Sequence, residues 1–141
     1  MENVLARIEE ENDLNALIEL STHPSAEVRM RTVEKLTQYE PTPDVLSSVR
    51  SALSDTDELV RLVSAEALGD WKDLSSESLL DNLLKDPDWL VRGEAAISLE
   101  KIGSQKIAGI IKKKIKMNIT KDEKFRYACA AFIVEKNRCH V

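Results

Sequence analysis

The sequence predicts an all-α chain of stacked helix pairs, and three observations point to it. Strand and turn signals are sparse: 4 Gly, 4 Pro and 2 each of Trp, Tyr and Phe among 141 residues leave little from which to build a strand-rich sandwich. Four segments repeat: HPSAEVRMRTVEKLTQY from His23, DTDELVRLVSAEALGDW from Asp55, DPDWLVRGEAAISLEKI from Asp86 and TKDEKFRYACAAFIVEK from Thr120. Their anchors Val28, Val60, Val91 and Phe125 lie 32, 31 and 34 residues apart, the spacing of stacked supersecondary units. Within each copy, apolar or small residues return 4, 5, 8 and about 11 positions after the anchor. At 100° per residue these positions share one helical face of roughly 140°.

Taken in order, Val4–Ile8 reads as a capping helix within 1–11. Leu14–Leu20 and the helix anchored at Val28 make a first repeat (12–40), and Val45–Leu53, started by Thr42-Pro43, joins the Val60 helix in a second (41–72). Leu79–Leu84, started at Ser75, and the Val91 helix make a third (73–103). Ile107–Ile115, set off by the helix stop Gly103, and the Phe125 helix make a fourth (104–137), with 138–141 as a tail. This amounts to nine helices, the four anchored ones about fifteen residues long. In the second copy the buried stripe falls on Ser64, Ala65, Leu68 and Trp71, and in the third on Ala95, Ala96, Leu99 and Ile102. The small pair in each lets a neighbouring helix approach closely, and Cys129 aligns with it in the fourth copy. Asp55 and Asp86 stand where a side-chain oxygen can cap the first turn. Pro24 and Pro87 suit the first helical position, and Thr120 with Glu123 forms a capping box.

Composition and charge exclude several classes. A chain that is 43% apolar and 32% charged is globular rather than disordered, and long enough to need neither metal nor disulfide. No run approaches 18 uncharged apolar residues, so no membrane span is expected. Glu2, Glu9, Glu10, Glu11 and Asp13 make the first twenty residues unlike a signal peptide. Cys129 and Cys139 fit neither a disulfide framework nor a zinc ribbon, and Cys139-His140 lacks a second ligand pair. The expectation is a reduced, cytoplasmic protein without cofactor or metal. Residues 1–70 carry 6 Lys/Arg against 15 Asp/Glu and residues 71–141 carry 14 against 10, for a total of −5. The first half cannot supply the basic face that phosphate contacts require, so nucleic acid is not the expected partner. Lys112, Lys113, Lys114 and Lys116 offer an alternative basic surface, whose ordinary reading is a solvated helix face.

The segments 55–71 and 86–103 resemble the HEAT-repeat superfamily, in the variant first named for phycobilisome lyases: Asp-Pro-Asp, then Val-Arg, two small residues and Ala-Leu-Gly. The likeness is partial in the first copy, where His23 replaces the acid, and weak in the fourth, with Thr120 and Phe125. It implies a right-handed α-solenoid of about four helix pairs plus the capping helix, with the Val-Arg helices lining the concave side. Departures at the ends suit capping repeats. The resemblance also implies an inter-repeat ladder built on Asp55, Arg61, Asp86 and Arg92, with Arg29 and Arg126 in matching places. The planar fork of five guanidinium donors can join carboxylate and carbonyl oxygens at once.

Opposite the buried stripe lie positions 2, 3, 6 and 10 after each anchor. These are Met30, Arg31, Glu34 and Gln38, then Leu62, Val63, Glu66 and Asp70. The third and fourth helices add Gly93, Glu94, Ile97 and Lys101, and Tyr127, Ala128, Ala131 and Glu135. An apolar strip rimmed by acids suits a basic protein or peptide, unless neighbouring repeats cover part of it. Trp89, two before its anchor, stands either as an interface anchor at the rim or packed on the preceding helix.

The predicted function is a non-catalytic protein-binding module: an adaptor, a scaffold, or a neutralising partner of the immunity type. It would be a monomer or one chain of a hetero-complex. HEAT-like deoxyhypusine hydroxylases need several His-Glu pairs, and here His23 precedes Pro24 and His140 precedes Val141. HEAT-like DNA glycosylases need a basic groove, whereas this one is acidic. No nucleophile elbow or phosphate-binding glycine loop occurs. The alternatives are a phycobilisome lyase-like chromophore-handling subunit, for which the sequence offers no pocket, and nucleic-acid binding through the lysine-rich helix.

Overall fold

The computed structural model describes residues 4–105. Seven α-helices run through them: α1 (Val4–Glu10), α2 (Leu14–Leu20), α3 (Ala26–Leu36), α4 (Pro43–Ala52), α5 (Glu58–Asp70), α6 (Glu77–Leu83) and α7 (Trp89–Lys101). A 3-10 turn, Leu74–Ser76, precedes α6, and no strand occurs among the described residues. The last two of the nine expected helices, with Tyr127, Glu135, Arg126 and Lys112–Lys116, lie outside them. The anchored helices span 11, 13 and 13 residues, shorter than the expected fifteen.

The helices form two layers. The anchored helices α3, α5 and α7 pack side by side with the capping helix α1 against α3, while α2, α4 and α6 each lie against the anchored helix that follows. The anchors Val28, Val60 and Val91 are buried, as are Thr32, Val33 and Leu36, Ser64, Ala65 and Leu68, and Ala95, Ala96 and Leu99. Ile8, Leu17, Val45, Val49 and Leu80 complete one continuous core with them. Trp71, expected in the core, is instead the half-buried C-cap of α5, packed against the core's edge. Buried hydroxyls are satisfied: Thr32 Oγ1 donates to the Val28 carbonyl at 2.6 Å and Ser64 Oγ to that of Val60 at 2.7 Å.

The helix starts correct the capping scheme. The caps are Asp57 and Asp88, whose Oδ1 atoms accept the amides of Leu59 and Val60, and of Leu90 and Val91. Asp55 and Asp86 stand two residues earlier and are drawn into ion pairs instead. Accordingly Pro24 and Pro87 precede the caps Ser25 and Asp88 rather than opening a helix. Pro43 does occupy the first turn of α4, behind its cap Thr42. Ser75 falls inside the 3-10 turn, and α6 begins at Glu77.

The helix ends use one device twice. After α7, the Ser104 amide donates to the Leu99 carbonyl and the Gly103 amide to that of Glu100, with Gly103 at φ 82°. After α5, the Asp73 amide reaches Leu68 and the Lys72 amide reaches Gly69, with Lys72 at φ 52°. This Schellman closure favours glycine, and a lysine there holds its Cβ against a backbone oxygen. Lys72→Gly is therefore expected to raise stability by about 0.5–1 kcal/mol, read as a higher midpoint in urea denaturation.

Candidate partner-binding surface

The edge formed by the starts of α3, α5 and α7 is held by a repeated set of bonds. Arg29 donates from Nε and Nη2 to the Asp55 carboxylate at 2.8 and 3.0 Å, and from Nη1 to the carbonyls of His23 and Pro24. Arg61 uses the same atoms on Asp86, at 2.8 and 3.1 Å, and on the carbonyls of Asp55 and Thr56. Arg92 Nη1 continues the pattern onto the carbonyls of Asp86 and Pro87. Arg29 and Arg61 thus each close their own helix start and grip the acid of the next repeat, and Arg92 closes its own start in the same way. Asp55 and Asp86 are held from the other side by the amides of Asp57 and Asp88.

The row ends at His23, which aligns with these aspartates. Its Nδ1 accepts the Ser25 amide at 3.0 Å, taking over the carboxylate's local bond. Beside it opens a cleft of about 390 Å³ lined by Arg7, Glu19, Thr22 and Pro24. A second tie joins the other layer, where Arg50 Nε and Nη2 both reach the Asp73 carboxylate at 2.7 Å. Arg50 and Asp73 were not among the residues expected from sequence.

The ladder sets the protonation of its members. The hydrogen bonds they donate to the aspartates raise the pKa of Arg29, Arg50 and Arg61 above its ordinary value, against the opposing pull of burial. Burial alone would push the Asp55 carboxyl up, but Arg29, the Asp57 amide and the charge of Arg61 together hold it below its ordinary 3.8. A depressed carboxyl stabilises the fold above the unfolded pKa, because below it the unfolded chain binds the proton first. Stability from Asp55 is thus expected to fall as pH drops below about 4, while Asp55→Asn loses that dependence. Urea midpoints between pH 6 and 3 check it: the variant's profile flattens relative to wild type.

The strip opposite the core is only partly a surface. Arg31, Glu34, Glu66, Asp70 and Lys101 are exposed, and Gln38 with them. Met30, Leu62 and Val63 are half-buried and packed against the core, and Ile97 is half-buried. Glu94, expected on the rim, is only 4% exposed, and Gly93 is buried too. The close packing of α7 on its neighbours covers positions that an isolated helix would leave to solvent. The bases are also engaged: Lys101 Nζ lies 2.6 Å from Asp70 Oδ1, and Arg31 is 3.7 Å from Glu34. Lys101 is held protonated above its ordinary range, first by that bond to Asp70, with Glu94 and Glu66 adding to it against burial.

Trp89 is 52% exposed at the start of α7. Leu90 beside it and Leu59 at the start of α5 are 39% and 45% exposed, and neither was singled out in the sequence. No cluster of three His, Cys, Asp or Glu able to hold a metal occurs among the described residues. No helix among them is long and apolar enough to cross a membrane.

The described residues thus combine repeated helix pairs, a small-residue stripe and an arginine ladder on the Asp-x-Asp starts. Residues 46–113 match the HEAT-repeat family. The matched stretch holds the two copies whose sequences are most alike, and it supports placement in the HEAT-repeat superfamily without distinguishing the lyase-type variant. HEAT repeats in general mediate protein–protein interaction and are typically non-catalytic scaffolds. No curated protein matches the chain.

Proposed function

We propose that this chain is a non-catalytic protein-binding module, an adaptor, scaffold or neutralising partner, whose α3–α5–α7 outer face, the solvent side of the anchored helices expected to be concave, takes a basic protein. The observation that carries the reading is the pair of exposed carboxylates Glu34 and Glu66 at equivalent positions on neighbouring helices, in line with Ile97 on α7. Glu66 enters no ion pair among the described residues, and its exposed carboxylate feels Lys101 only through space. Half-buried Met30, Leu62 and Val63 lie on the same face and would supply apolar contact. Opposite charge speeds encounter and excludes acidic competitors, while the apolar groups carry affinity.

The test is capture from nuclease-treated lysate on wild type, Glu66→Lys and, as a control on the other layer, Ser78→Lys. One basic protein should be held by wild type and Ser78→Lys, fall at least about tenfold on Glu66→Lys, and be released by raised salt. Equal capture by all three chains rejects this face as the docking surface.

A further inference from the structure

We propose that the starts of α5 and α7 form a second docking edge, distinct from the outer face, for a basic peptide segment carrying an apolar anchor. It rests on the protein-binding reading but not on the outer face. Leu59 and Leu90 occupy equivalent positions on neighbouring helices, and Trp89 precedes Leu90 directly. All three are large apolar side chains left exposed rather than folded into the core. Parallel helices at the ordinary separation of roughly 9 Å would space them as a ridge across two repeats.

This ridge stands on a fixed frame. Asp57 and Asp88 cap the two helix starts directly beneath it, and the Arg61–Asp86 bonds tie one start to the other. Side chains presented on a frame already ordered lose little freedom on binding.

Charge selects the occupant. Glu27 and Glu58 are exposed along the same row of helix starts, and neither enters an ion pair among the described residues. Arg61 feels the charge of Glu58, but Arg29 and Arg61 each spend Nε and both Nη atoms on an aspartate and two carbonyls and are not drawn into ion pairs with these glutamates. Lys85, just before Asp86, is itself engaged. An apolar ridge flanked by open carboxylates favours lysine or arginine around a leucine or aromatic anchor, and repels acidic segments.

The test is selection of a displayed random 16-residue peptide library on the intact chain, followed by titration of an enriched peptide against variants. The expected peptides are basic with an apolar anchor. Their affinity falls about tenfold or more on Leu59→Asp and on Trp89→Ala, falls less on Glu58→Gln, and is unchanged on Glu66→Lys. Since all these side chains are exposed, unchanged helical circular dichroism is expected, and Trp89→Ala keeps the test alive should Leu59→Asp unfold. Acidic or uncharged enriched peptides, or no enrichment, overturn the proposal. Binding lost on Glu66→Lys but indifferent to Leu59 and Trp89 overturns it while leaving the outer-face reading standing. Binding lost at the ridge alone supports this edge, and the outer face is judged by its own capture experiment.

Discussion

Arg61→Ala is expected to lower the stability of the fold by about 2–4 kcal/mol and to broaden its unfolding transition. The Arg61 side chain is 14% exposed and that of Asp86 is 5% exposed, so the pair belongs with buried ion pairs rather than with those that contribute almost nothing at a surface. Removing the guanidinium strips two charge-assisted bonds from a carboxylate that keeps just one amide donor, from Asp88. It also removes the side-chain donor to the carbonyls of Asp55 and Thr56. The cost arises mostly from the charge left behind, so Arg61→Ala/Asp86→Ala should be less damaging than the sum of the single changes. Arg61→Lys should recover little, because an ammonium cannot grip both carboxylate oxygens and reach two carbonyls. Urea denaturation followed at 222 nm measures these variants and Asp86→Ala against wild type. A loss under about 0.5 kcal/mol for Arg61→Ala would reduce the ladder to decoration. Broadening is expected because a repeat array unfolds as one unit only while its interfaces hold.

The repeat spacing and the buried stripe were legible because they depend on each helix's own periodicity. Val60, Ser64, Ala65 and Leu68 face inward for the same reason as their counterparts in the other two described copies. The caps were not. Each start offers two aspartates, and which one caps is decided by an arginine 25 or 26 residues earlier that claims the first. Local pattern contains no such partner. The outer strip was over-read for a related reason. A helical wheel assumes one buried face, whereas an anchored helix in this layer has a paired helix behind it and anchored neighbours beside it. Glu94 and Gly93 on α7 are covered in consequence, while Glu66 on α5 stays in solvent. Leu59 and Leu90 were missed for the opposite reason, since apolar residues at helix starts are assigned to the core by default. The Arg50–Asp73 tie occurs once among the described residues, so no repeat in the sequence could announce it.

Gly69→Ala is expected to be destabilising by about 1–3 kcal/mol, although in an open helix the same change would stabilise by close to 1. Gly69 lies in the last turn of α5 and is buried against α7. A Cβ there would sit 2.5 Å from Ser98 Oγ, 2.6 Å from its Cβ and 2.8 Å from its Cα. The last of these is backbone, so relief cannot come from a side-chain rotation and must come from separating the helices. Separation in turn stretches the 2.7 Å bond from Ser98 Oγ to the Ala65 carbonyl, a buried polar tie between the two helices that adds to the exposed Lys101–Asp70 pair. The steric and polar losses therefore act together. Ser98→Gly removes the nearest two atoms but leaves the backbone contact, so Gly69→Ala/Ser98→Gly should recover part of the loss and not all of it. Thermal melts of the three variants decide it: Gly69→Ala melting at or above wild type would mean that α5 and α7 can part without cost. A clear drop would mean that the Ala-Leu-Gly element sets the helix separation on which both proposed surfaces depend.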